Sequence, residues 1–75
     1  MKRTYYKEAM IGDKVYKGDR VSITTKDDRV VITEYVDFVD GRSVKTAQYD
    51  YPITTMTFED ACRKYVSGGY KEEKK

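Results

Sequence analysis

Phe58, Ala61, Cys62, Tyr65 and Val66 recur at i, i+3, i+4, i+7 and i+8, a single apolar stripe at the helical period. Thr57 stands before the stripe as an N-cap, and Glu59 and Asp60 occupy the first turn, where carboxylates favour the positive end of the helix dipole. Ser67-Gly68-Gly69 follows and supplies a residue able to take positive φ and end the helix. The pattern predicts a helix over residues 57–67. So short a helix does not persist alone in water, so its stripe must pack on something else.

The upstream pattern is strand-like. Val21-Ser22-Ile23-Thr24-Thr25 alternates apolar and polar, and Arg29 to Val39 is the longest β-prone run. Lys26-Asp27-Asp28 reads as the turn between them. Asp40-Gly41 is a hairpin signal, since both residues accept positive φ. A two-residue turn there sets Val39 opposite Arg42, Phe38 opposite Ser43 and Val36 opposite Lys45. Ile32, Val36, Phe38, Ala47 and Tyr49 then share a face, unless a bulge near Asp40 shifts the register. Pro52 ends the sheet region, because proline has no N–H for a ladder.

Gly12-Asp13-Lys14-Val15 and Gly18-Asp19-Arg20-Val21 repeat a Gly-Asp-basic-Val pattern six residues apart. The offset is too short for a repeat architecture and reads as two turns, each launching a short strand. The second copy is similar to the Gly-Asp-x-Val-x-Ile start common in small SH3-like barrels. The expected fold is α+β and mainly β: an antiparallel sheet or SH3-like barrel of four to five strands with one C-terminal helix. Residues 1–70 form one domain in this reading, and 71–75 a charged, solvated tail.

Composition narrows the chemistry. Charged residues are 37% of the 75, but the apolar ones are patterned, so the chain is expected to fold. The basic start, Met1 to Glu8, is followed by no apolar core of a secretory signal, and no run approaches the ~20 apolar residues of a membrane span. Cys62 is the single cysteine, so no intrachain disulfide can form; a reducing, cytoplasmic setting is expected. The net charge of +2 hides an uneven layout: +4 over residues 1–26, −5 over 27–61 and +3 over 62–75. Two faces of opposite sign are one expectation from it, a mixed soluble surface the other.

Histidine is absent, which removes the commonest general base and any Ser-His or Cys-His pair. A lone thiol cannot build a Cys/His zinc site, and Cys62 falls on the inner stripe as a small apolar side chain. Asp27 and Asp28 suit a turn, and Asp37 and Asp40 match no calcium-loop spacing. Gly12 and Gly18 match no phosphate loop. No catalytic residue, metal or cofactor is expected, and the chain is expected not to be an enzyme.

Eight tyrosines against two phenylalanines and no tryptophan point instead to binding, since phenol rings lie well half in water and dominate many contact surfaces. One candidate surface is acidic: Asp27, Asp28, Glu34, Asp37, Asp40 and Asp50 with Tyr35, Tyr49 and Tyr51, suited to a basic or nucleic-acid-binding protein partner. In size and character the chain resembles the small accessory proteins of phages and other mobile elements. That resemblance implies a non-enzymatic protein-binding module that modulates or inhibits a host factor. The alternative surface is basic and aromatic: Tyr5, Tyr6, Lys14, Tyr16, Lys17 and Arg20, joined by Arg42 and Lys45, the pairing of cations and rings that nucleic acid needs. A homodimer through sheet edges is the third expectation.

Overall fold

In the computed structural model, residues 1–8 and 16–73 are described, with only the backbone of Tyr16. The chain forms β1 (Lys2–Glu8), β2 (Tyr16–Lys26), β3 (Arg29–Phe38), β4 (Ser43–Pro52), α1 (Phe58–Ser67) and β5 (Lys71–Glu72). The strands make one antiparallel sheet in the order β4-β3-β2-β1-β5, and α1 packs on one face over β1, β2, β3 and β5. The sheet is open, so of the two expected forms the barrel is not the one adopted. No helix among the described residues is long and apolar enough to cross a membrane.

The helix has the expected bounds. Thr57 Oγ1 accepts from the Asp60 N–H at 3.1 Å, and Gly69, at φ +95°, turns the chain so that Tyr70 N–H reaches Tyr65 O. Beneath it Tyr5, Val21, Ile23, Val30 and Ile32 meet Phe58, Ala61, Cys62 and Tyr65, all buried. Cys62 is thus an inward apolar side chain.

Strand β1 was not expected, because its inner positions are Arg3, Tyr5 and Lys7, which hide the alternation. Tyr5 enters the core, while the two cations clamp the helix. Arg3 lies over the Phe58 ring, 5.3 Å from its centroid, and bonds Glu59; Lys7 Nζ donates to Gly68 O at the negative helix end. The tail expected at 71–75 begins as β5: Lys71 and Glu72 pair with Tyr6 and Tyr5, and Glu73 N–H bonds Thr4 O. Two residues have no periodicity to read. Lys74 and Lys75 lie outside the described residues.

Gly18-Asp19 is not a turn either: β2 runs through it to Lys26. A Cβ on Gly18 would stand 2.5 Å from Lys7 O and 2.7 Å from Tyr6 Oη, so the glycine serves close packing. The first Gly-Asp copy, Gly12 to Val15, lies outside the described residues. The β3–β4 loop has three residues rather than two: Gly41 N–H bonds Phe38 O, Gly41 takes φ +95°, and Phe38 N–H bonds Arg42 O. Val36 therefore faces Val44 and Tyr35 faces Lys45. Thr46 then bulges, and beyond it Ile32 faces Tyr49, in the register expected from a two-residue turn.

Two predictions follow from the thin core. Ile23→Ala should cost about 2–5 kcal/mol in denaturant unfolding, a large part of the roughly 4–11 kcal/mol expected of a domain this size. Cys62 should resist thiol reagents in native buffer and react fully once denatured; rapid native labelling would contradict its burial.

Candidate functional site

A β-strand alternates its side chains between two faces, so the residues not under the helix make a second, open face. One line across this face takes a residue from every strand. Lys71 of β5 pairs with Tyr6 of β1, Tyr6 with Arg20 of β2, Arg20 with Tyr35 of β3, and Tyr35 with Lys45 of β4. Cation and aromatic alternate along it. The next line is hydroxyl and amide: Thr4, Ser22, Thr33 and Gln48. Lys45 Nζ donates to Gln48 Oε1 at 3.1 Å, joining the two lines.

Both rings are held. The phenol end of Tyr6 lies against Gly18 and donates to Lys17 O at 3.1 Å. Partial burial pushes its hydroxyl above the ordinary phenol range. Arg20 stands over the Tyr35 ring, 4.3 Å from its centroid, and its Nε and Nη2 donate to Asp37 at 3.0 and 3.3 Å. Ser43 Oγ donates to the same carboxylate at 2.5 Å. Burial pushes the Asp37 carboxyl upward, but the donors Arg20 and Ser43 outweigh it and hold the group below its usual range. Arg20 is thus a brace that fixes Tyr35, with its charge answered by Asp37.

By register, the open face carries the cations Lys2, Arg20, Lys26, Arg29, Lys45 and Lys71 against the carboxylates Glu8, Asp37, Asp50 and Glu73, the last placed beside Thr4 by its N–H bond to Thr4 O. Asp37 and Asp50 are paired to Arg20 and Arg29, which leaves the lysines to set the sign. A cleft of about 800 Å³ opens at the β1–β5 side, beside Tyr6 and Lys71. Its lining balances four cations (Lys7, Lys17, Arg20, Lys71) with four acids (Glu8, Asp37, Glu72, Glu73), so it does not select for anions.

The acidic set is dispersed. Asp27 and Asp28 sit in the β2–β3 turn, and Asp40 in the loop at the other end, where it binds Arg42. Asp37 is engaged by Arg20, and Glu34 points under the helix to accept from Tyr65 Oη at 2.8 Å. Burial, then this bond, raises the Tyr65 phenol. Tyr49 and Tyr51 lie on the helix-side face, and Tyr35 on the open one.

Of the basic and aromatic set, Tyr6, Arg20 and Lys45 come together, with Lys17 exposed nearby. Tyr5 is in the core, and Arg42 covers Phe38 at the loop. Lys14 and the side chain of Tyr16 lie outside the described residues. Sequence reasoning missed Lys71, Lys2 and the service of Gly18 to Tyr6, and grouped Tyr35 with its acidic chain neighbours. Period-two alternation separates Tyr35 from Glu34 and was the signal available. No family model, curated protein or solved structure matches the chain.

The braced carboxylate makes a prediction. Its folded-state pKa is depressed, so its stabilisation is full above the unfolded value near 3.9 and lost as pH falls through the folded value. Asp37→Asn should cost about 1–3 kcal/mol at neutral pH. It should also flatten the acid limb of the stability–pH curve below about pH 5. An unchanged acid limb would contradict the Arg20–Asp37 brace.

Proposed function

We propose that the open face binds single-stranded nucleic acid. The observation that carries this reading is the line Lys71–Tyr6–Arg20–Tyr35–Lys45, which alternates charge and ring across all five strands. With strands about 4.8 Å apart it is about 19 Å long. Tyr6 and Tyr35 stand two strands apart as stacking surfaces for bases, whose π faces any sequence offers. Lys45, Lys71 and Lys2 neutralise phosphates, and Thr4, Ser22, Thr33 and Gln48 offer hydrogen bonds to base edges beside the rings.

The dispersal of the acidic residues favours this reading over a protein partner seated on them. Such a partner would have to reach both ends of the sheet and Glu34 under the helix. The open face needs no rearrangement, since its rings are already immobilised by Gly18 and by Arg20.

Fluorescence anisotropy with a labelled pyrimidine oligonucleotide tests the reading. Tyr6→Ala and Tyr35→Ala should each weaken binding by about tenfold or more, the loss of one stacked base at roughly 1–3 kcal/mol. Tyr49→Ala, on the other face, should leave affinity unchanged. Three phosphate contacts predict a log–log salt slope of about −2, reduced in Lys45→Glu and Lys71→Glu. Absence of binding at low salt, or tighter binding of duplex than of single strand, would reject it.

A further inference from the structure

The two edges of the sheet are not alike. The β1 edge is covered over part of its length by β5, whereas β4, ten residues long, has no neighbour on its outer side among the described residues. The helix backbone packs on β1, β2, β3 and β5 and makes no close approach to that of β4, whose Tyr51 meets the edge of the buried cluster. Val44 and Tyr49 are left 49% and 43% exposed on the helix-side face.

Backbone direction alternates along a strand, and the end hydrogen bonds fix its phase here. Phe38 N–H bonds Arg42 O and Ile53 N–H bonds Asp28 O, so Arg42, Val44, Tyr49, Tyr51 and Ile53 turn toward β3. With Thr46 as the bulged residue, the peptide groups of Ser43, Lys45, Gln48 and Asp50 point outward.

We propose that this edge pairs antiparallel with the same edge of a second copy, about a two-fold axis at Gln48. In that register Gln48 exchanges both peptide hydrogen bonds with its own counterpart. Lys45 falls opposite the second copy's Asp50, and Asp50 opposite its Lys45, because the bulge at Thr46 removes one residue from the count. Opposite charges directly across a pair stabilise it. Ala47 meets Tyr49 and Val44 meets Tyr51 on the helix side, extending the apolar stripe that the single helix leaves uncovered. An axis at Asp50 would instead set two carboxylates face to face, and one at Tyr49 would set Asp50 against Gln48 and leave Lys45 opposite Pro52, with no carboxylate to answer it. Charge complementarity therefore selects one register.

The dimer is a ten-stranded sheet with both open faces on one side, and the Lys45–Asp50 pairs lie along the seam between the two proposed nucleic-acid surfaces. The pairing does not depend on that binding. Sedimentation equilibrium on the purified 75-residue chain tests it without nucleic acid. The expected result is a reversible monomer–dimer equilibrium. Gln48→Pro, which removes an outward N–H and none of the bonds to β3, should give a folded monomer by circular dichroism. Asp50→Lys should weaken the dimer at least tenfold, and Lys45→Asp combined with Asp50→Lys should restore it. A wild-type chain that stays monomeric at the highest soluble concentration overturns the proposal. A dimer indifferent to Gln48→Pro, or one not rescued by the double exchange, overturns it equally. Loss of oligonucleotide binding by a still-dimeric protein would reject the preceding reading and leave this one standing.

Discussion

One helix cannot cover five strands. A helix with its side chains is about 10–12 Å across, and the sheet is about 19 Å wide between its outer strands. The described residues hold a single helix, and Arg3 and Lys7 fix where it lies by gripping its two ends. The buried cluster consequently sits under the helix, over β1, β2 and β3. The rest of the architecture follows from that placement. Among the described residues one complete face has no second layer, and the helix backbone makes no close approach to β4.

A sheet face without a second layer must be compatible with water, and this one is built mostly from threonine, serine, glutamine, charged groups and two braced tyrosines, with Val31 and Pro52 among them. Such rings expose apolar area while their hydroxyls and neighbouring cations keep the surface wet. Arg20 does two jobs there. It satisfies the half-buried Asp37 and holds the Tyr35 ring by its flat side. Preorganisation of this kind lowers the ordering cost of any ligand that stacks on the face. At β4 the same shortage of cover leaves peptide groups and the Val44–Tyr49 stripe at the boundary of the molecule.

The helix was legible to the residue because cap, stripe and stop agree, and β3 because its run is long and β-branched. β1 was not, since a strand whose inward positions are two snorkelling cations around one tyrosine shows no apolar alternation. The expected hairpin register failed near the loop, where Gly41 alone takes the left-handed conformation, and returned beyond Thr46 because the bulge cancels the extra loop residue. Gly18 was read as punctuation when its smallness serves a ring from the neighbouring strand. The candidate surface was half visible. Tyr6, Arg20 and Lys45 were grouped by composition, but Tyr35 and Lys71 join them only through strand pairing, which chain proximity does not reveal.

On the proposed reading the two faces of the sheet divide the work, one holding the fold and the other meeting a ligand. Nuclear magnetic resonance of the isotope-labelled protein, titrated with a short unstructured oligonucleotide, tests it most directly. The ring signals of Tyr6 and Tyr35 and the amides of Ser22 and Thr33 should move together, while the rings of Tyr49 and Tyr65 stay still. Shifts centred on the helix side or on the Asp27–Asp28 turn, or none at all, would contradict it.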